Sequence, residues 1–107
     1  MGIQTVTGIL KKEELGITTP HEHALIDIRN QYPGECIPGS VGWDGKVSEE
    51  FYALLMSDPY ALRDNLVLDD HDMAVSEVNI FAKAGGKTFV DVTLAEIGRD
   101  VKFLKRD

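Results

Sequence analysis

Alternating apolar and polar positions predict extended structure at the start of the chain. Ile3, Thr5, Thr7 and Ile9 alternate with Gln4, Val6, Gly8 and Leu10, and β-branched residues dominate, so residues 3–10 read as a strand. Lys11-Lys12-Glu13-Glu14 is a polar break that reads as a turn. Residues 15–28 form a second extended candidate. Pro20 lacks a backbone donor, which places it at a strand entry or a bulge just before a pair of histidines. Residues 29–47 show little periodicity and carry Pro33, Gly34, Pro38, Gly39, Gly42 and Gly45, the composition of a long irregular loop. Ser48 reads as an N-cap followed by Glu49 and Glu50, with Phe51, Leu54 and Leu55 as a short apolar stripe. Asp58-Pro59 has the form of a cap and first residue of a further helix.

The strongest helical pattern covers residues 72–84. Ala74, Val75, Val78, Phe81 and Ala82 share one face of a 3.6 period, and Gly85-Gly86 supplies a left-handed stop. Thr88-Phe89-Val90-Asp91-Val92 is short, β-branched and mostly apolar, as in a strand buried on both faces of a parallel sheet. A helical pattern resumes over residues 98–105, with Val101 and Leu104 on its apolar side, and is expected to be in its first turns at Asp107. The alternation of strand, helix, strand and helix predicts an α/β fold with a parallel sheet.

Composition narrows the functional classes. Eleven basic against 18 acidic side chains give a net charge of −7, which disfavours binding to phosphate backbones. The single cysteine, Cys36, excludes an intrachain disulfide framework and a cysteine-rich zinc site. No apolar stretch approaches the ~20 residues of a membrane span, and Met1 to Thr5 lack the basic and apolar regions of a signal peptide. No nucleic-acid or membrane partner and a cytoplasmic location are the resulting expectations.

His21-Glu22-His23 is the one group with clear chemical potential. Successive strand side chains point to opposite faces, so His21 and His23 share a face and Glu22 takes the other. Two neutral imidazoles so placed suit a borderline ion such as zinc, although a catalytic zinc takes three protein ligands and water. Solvated or backbone-bonded imidazoles are the alternative that the spacing leaves open. His71 reads as a surface residue among Asp69, Asp70 and Asp72 at a helix N-terminus. Asp91 reads as a structural hydrogen-bond acceptor, and Asp100 as a carboxylate in a first helical turn. Cys36 beside Glu35 is not an activated nucleophile. Tyr32 and Trp43 either pack the long loop or line a ligand site.

Two blocks together resemble the phosphotriesterase family of the amidohydrolase superfamily. The first is Thr5-Val6-Thr7-Gly8 followed by the run from Leu15 to His23; the second runs from Ala84 to Thr93 and continues in Ile97-Gly98-Arg99-Asp100. The resemblance implies a (β/α)₈ barrel with a binuclear metal centre. It implies that His21 and His23 are two ligands of the more buried metal, a divalent ion with zinc first among the candidates. A bridging lysine, two further histidines and an aspartate come from later strands, and no position here matches them. The implied chemistry is hydrolysis of a phosphotriester, lactone or other ester by a metal-activated hydroxide. A closed barrel needs ~200–250 residues, so 107 residues are expected to form its N-terminal third: a hairpin and about two βα units. Such a piece contributes metal ligands, has no catalytic residue of its own that can be assigned, and is expected to be inactive alone. Its open strand edges are expected to favour self-association. Two alternatives belong to other classes: a non-enzymatic oligomeric or binding module, and a metal-binding domain whose site is completed between chains.

Overall fold

The computed structural model describes residues 1–105; Arg106 and Asp107, into which the last helix was expected to run, lie outside the described residues. In chain order the strands are β1 (Gly2–Thr5), β2 (Gly8–Lys11), β3 (Thr18–Glu22), β4 (Ile26–Asp27), β5 (Val67–Leu68) and β6 (Thr88–Asp91). The α-helices are α1 (Val41–Asp44), α2 (Tyr52–Ser57), α3 (His71–Lys83) and α4 (Val101–Leu104), with short 3₁₀ turns between them. The chain divides into two compact units, one from residues 1–25 and 70–105, the other from Ile26–Asp69.

The first unit opens on an antiparallel hairpin, β1 with β2, in which Thr5 pairs with Gly8. The single strand expected over residues 3–10 is therefore broken at its middle. Thr5 causes the break: its hydroxyl donates to the Gly8 carbonyl at 2.8 Å and accepts from the Thr7 N–H at 3.3 Å, a side-chain-stabilised turn that competes with extension. The extended segment expected over residues 15–28 is also interrupted, leaving β3 and the two-residue β4.

β3 and β6 pair in parallel. The ladder slips between Thr19 and Glu22, where three steps on β3 face two on β6. That bulge holds Pro20 and His21, so the missing proline donor falls where the ladder is already open. The crossover helix α3 begins one residue before its expected start. Asp70 caps it, its carboxylate accepting from the Met73 N–H at 3.0 Å. Its end is a Schellman motif, with Gly85 N–H bonded to the Ala82 carbonyl and Gly86 N–H to the Phe81 carbonyl. Gly85 takes the left-handed φ of 106° that the motif needs. Gly86 is required for space, because a Cβ there would lie 2.3 Å from the Phe81 ring. Phe81 faces Phe89 of β6 edge-on at 6.3 Å, joining helix to strand.

Leu25 and Ala74 are buried apolar side chains of this unit. Val90 of β6 is 38% exposed. β6 has an apolar run suited to burial on both faces, and in a sheet of two strands that burial is incomplete. An apolar cleft of about 930 Å³ lies in the same unit, with Ile3, Leu15, Val78, Phe89 and Phe103 among its lining residues. α4 follows a 3₁₀ turn at Ala95–Ile97, and the Asp100 carboxylate caps it through the Phe103 N–H at 2.8 Å.

In the second unit β4 and β5 pair antiparallel, and the Ile28 N–H adds a bond to the Leu66 carbonyl at 2.8 Å. Leu62 and Leu66 are buried. Trp43 packs between Tyr32, at 5.9 Å between ring centroids, and the Arg63 guanidinium, 4.1 Å above its ring. Both loop aromatics therefore serve packing. The helix expected from Asp58-Pro59 does not form. Asp58 instead ends α2, and its carboxylate accepts from the Tyr60 N–H at 3.0 Å, turning the chain.

Candidate metal-ligand pair at the strand ends

β3 and β6 run parallel, so their C-terminal ends lie at the same edge of the sheet. In α/β barrels that edge is where chemistry is built, because the loops leaving the strands converge there. His21 closes on this edge from β3, and His23 lies one residue beyond the strand's end at Glu22. Their rings are 5.7 Å apart between centroids and nearly perpendicular, at 83°. The two imidazoles thus sit close together, as their i, i+2 spacing predicts. His21 is exposed and His23 half-buried.

His23 is the more tightly held of the two. Its Nδ1 lies 2.7 Å from the Thr93 hydroxyl, which also reaches the Leu25 carbonyl at 3.3 Å. Thr93 is 3% exposed. Asp91, at the end of β6, braces both sides of this contact. One carboxylate oxygen accepts from the Ala24 N–H and the other from the Thr93 N–H, each at 2.9 Å. Partial burial pushes the Asp91 carboxyl up, but hydrogen bonds from Ala24 and Thr93, with the nearby His23 imidazole, outweigh it. The group is held below the ordinary carboxylate range. Asp91 is thus the structural acceptor its sequence position indicates.

Thr93 is the residue that sequence reasoning missed. The signal was present: a period of two carried past Asp91 puts Thr93 on the same face. A threonine beyond a strand end has many other uses, however, and nothing local links it to a histidine 70 positions earlier.

Two imidazoles that share one ion through one nitrogen each, at a Zn–N distance of about 2.0–2.1 Å, hold their centroids roughly 5 Å apart. The observed pair is close to that arrangement. With Nδ1 of His23 engaged by Thr93, Nε2 is the nitrogen left for coordination. The pair fits part of a metal centre and no more. No third histidine, cysteine, aspartate or glutamate joins it among the described residues. His71 lies on α3 with its side chain 49% exposed, its ring 4.8 Å from that of Phe103 and 4.0 Å from the Asp100 carboxylate. Cys36 is exposed.

Comparison with known proteins places this arrangement. The profile of the phosphotriesterase family matches residues 1–106. An N-acetyltaurine hydrolase of Xenopus tropicalis is 33% identical over 97% of this chain and 30% of its own length. A phosphotriesterase-related protein of Nematostella vectensis is 34% identical over 96% of the chain and 31% of its own length. Among solved structures, a resiniferatoxin-binding protein from Rhodobacter sphaeroides superposes with a TM-score of 0.88 and 36% identity, over 97% of this chain and 29% of that one. The chain therefore spans about three tenths of the length of these relatives, and its two-stranded α/β arrangement is part of a (β/α)₈ barrel that is not closed here. The matched profile and the βαβ frame around the histidine pair agree, and the chain belongs to the phosphotriesterase family.

Proposed function

We propose that this chain supplies His21 and His23 as two ligands of a divalent metal, zinc first among the candidates, in a hydrolase of small molecules. The observation that carries the reading is the pair of imidazoles 5.7 Å apart at the C-terminal edge of a parallel strand pair, with one nitrogen of His23 already occupied. A bound divalent ion would supply Lewis acidity toward a substrate oxygen and acidify a water molecule. The chain's own residues hold the ligands in place. Asp91 fixes the backbone at Ala24 and Thr93, and Thr93 holds the His23 ring. Two ligands fall short of the three of a catalytic zinc, so turnover requires groups beyond those described here, and the chain alone is inactive. Phosphotriesters, lactones and other esters are the substrate classes of this reading. The hydrolase named for N-acetyltaurine among the relatives adds that amide to the first substrates to assay.

Zinc titration tests the ligand assignment. Stoichiometric binding is expected in the parent chain and its loss in the double variant His21→Ala, His23→Ala. Absence of zinc from the parent after equilibration would refute the assignment. Metal-dependent turnover of an activated phosphotriester, a lactone or N-acetyltaurine by the chain alone would refute its inactivity.

Self-association is a second reading, favoured by a specific observation. β3 and β6 form a sheet of two strands, and an apolar cleft lies in the same unit. A defined oligomer in sedimentation is expected on this reading, and a monodisperse monomer would remove it.

A further inference from the structure

The hydrogen bonds around Thr93 contain an accounting problem with one complete solution. The Thr93 hydroxyl carries a single proton and stands between two groups, His23 Nδ1 at 2.7 Å and the Leu25 carbonyl at 3.3 Å. A carbonyl can only accept. If the hydroxyl donates to Leu25, then Nδ1 must carry a proton and donate to the hydroxyl oxygen, and both contacts are hydrogen bonds. If Nδ1 is bare, the hydroxyl must donate to it, and the Leu25 carbonyl loses its donor. Leu25 is 7% exposed, and no other donor to its carbonyl is found among the described residues. An unmet buried carbonyl is the costlier arrangement.

We propose that Thr93 is a positioning residue that fixes neutral His23 as its Nδ1–H tautomer and so leaves Nε2 as the free lone pair. Three features make the device stiff. Thr93 is almost wholly buried. Its N–H is tied to Asp91, and the other oxygen of the same carboxylate ties the N–H of Ala24, the residue next to His23. The ring and the hydroxyl that orients it are therefore held by one carboxylate. An imidazole free in solution exchanges between two tautomers, whereas this one presents the same nitrogen at all times. The consequence for metal binding rests on the ligand assignment proposed above; the tautomer itself does not.

The test is two-bond ¹H–¹⁵N correlation spectroscopy of the imidazoles, at a pH above the ordinary histidine range, with the His23 signals assigned from His23→Gln. The parent protein is expected to show a protonated Nδ1 and a bare Nε2 for His23. Thr93→Val keeps the side chain's shape without the hydroxyl, and its His23 signals are expected to move toward the averaged pattern of a free imidazole. Thr93→Ser is expected to restore the parent pattern. Zinc affinity is expected to fall about tenfold or more in Thr93→Val and to recover in Thr93→Ser, the usual size of an outer-shell effect. A parent spectrum with a bare Nδ1 on His23 overturns the proposal, and so does a Thr93→Val spectrum unchanged from the parent. If Thr93→Val does not fold, the parent spectrum and Thr93→Ser decide the question. A correct tautomer together with no zinc binding would refute the ligand assignment and leave the tautomer proposal standing.

Discussion

Replacing Asp91 by asparagine probes how much one carboxylate contributes to the strand ends. The side chain accepts two backbone hydrogen bonds, from Ala24 and Thr93, each at 2.9 Å. A hydrogen bond to a charged acceptor contributes roughly 1.5–3 kcal/mol. Asparagine keeps one carbonyl oxygen, so one bond survives in weaker, neutral form. Its amide group turns a donor toward the other N–H, which loses its partner. The Thr93 N–H belongs to a residue with almost no solvent contact, so water replaces that bond poorly, whereas the half-buried Ala24 side of the site is more easily wetted. The net cost expected for Asp91→Asn is about 2 kcal/mol, and for Asp91→Ala, which removes both acceptors, about 3–4 kcal/mol. Urea unfolding is the assay. With a slope near 1–3 kcal/mol/M, a loss of 2 kcal/mol lowers the midpoint by roughly 1 M. Amide exchange should quicken at Ala24 and Thr93 in the same variant. An asparagine variant with the parent's midpoint and unchanged protection at both amides would show that the carboxylate does not brace these two residues.

Three further outcomes follow from individual contacts. Gly86→Ala places a methyl 2.3 Å from the Phe81 ring; the ring or the α3 terminus must shift, and thermal denaturation is expected to show a loss of about 1–3 kcal/mol. Asp70→Ala removes the α3 cap at Met73 and should cost about 1 kcal/mol, read as a lower melting temperature with the helical circular dichroism retained at low temperature. Asp64 is held below the ordinary carboxylate range, first by the Val47 N–H, which outweighs the effect of burial, and then by Lys46. A depressed carboxylate contributes stability above its unfolded value, and that contribution disappears as pH falls through the lower folded value. The urea midpoint of Asp64→Asn should therefore lie below the parent's at neutral pH, and the gap should narrow as pH drops below about 4. A gap independent of pH would exclude the charge as its source.

The parts of the fold legible in the sequence are those where local chemistry and tertiary packing agree. α3 has a period-3.6 apolar face, an aspartate cap and a glycine stop, and it forms within one residue of its expected bounds. The β-branched run after Lys87 becomes β6, and the histidine spacing brings the two rings together. The misreadings arise where a side chain competes with a pattern. Thr5 turns the chain inside an alternating run, and Asp58 turns it where an Asp-Pro pair resembles a helix start. Thr93 was illegible because its importance lies in partners that only the fold delivers, His23 and Leu25. Val90 is apolar yet 38% exposed, since burial of such a strand on both faces depends on layers that two strands alone do not supply.

The short pairing of β4 with β5 has a consequence for chain entropy. β3 and β6 are joined through Thr18 and Thr88, and closing so long an open loop costs on the order of 4 kcal/mol in chain entropy. The ladder from Ile26 and Asp27 to Leu68 and Val67, with Ile28 bonded to Leu66, brings the two ends of the intervening segment side by side. Once that neck forms, the chain from β3 to α3 behaves as a short connection, and the parallel pair closes a small loop in place of a large one. Length inside the neck then becomes a weak variable, because doubling a flexible loop adds only about 0.6 kcal/mol. Insertions or deletions within residues 29–65 that spare this neck and the buried Leu62 therefore cost little in chain entropy, and the strand ends that carry the histidines keep their register.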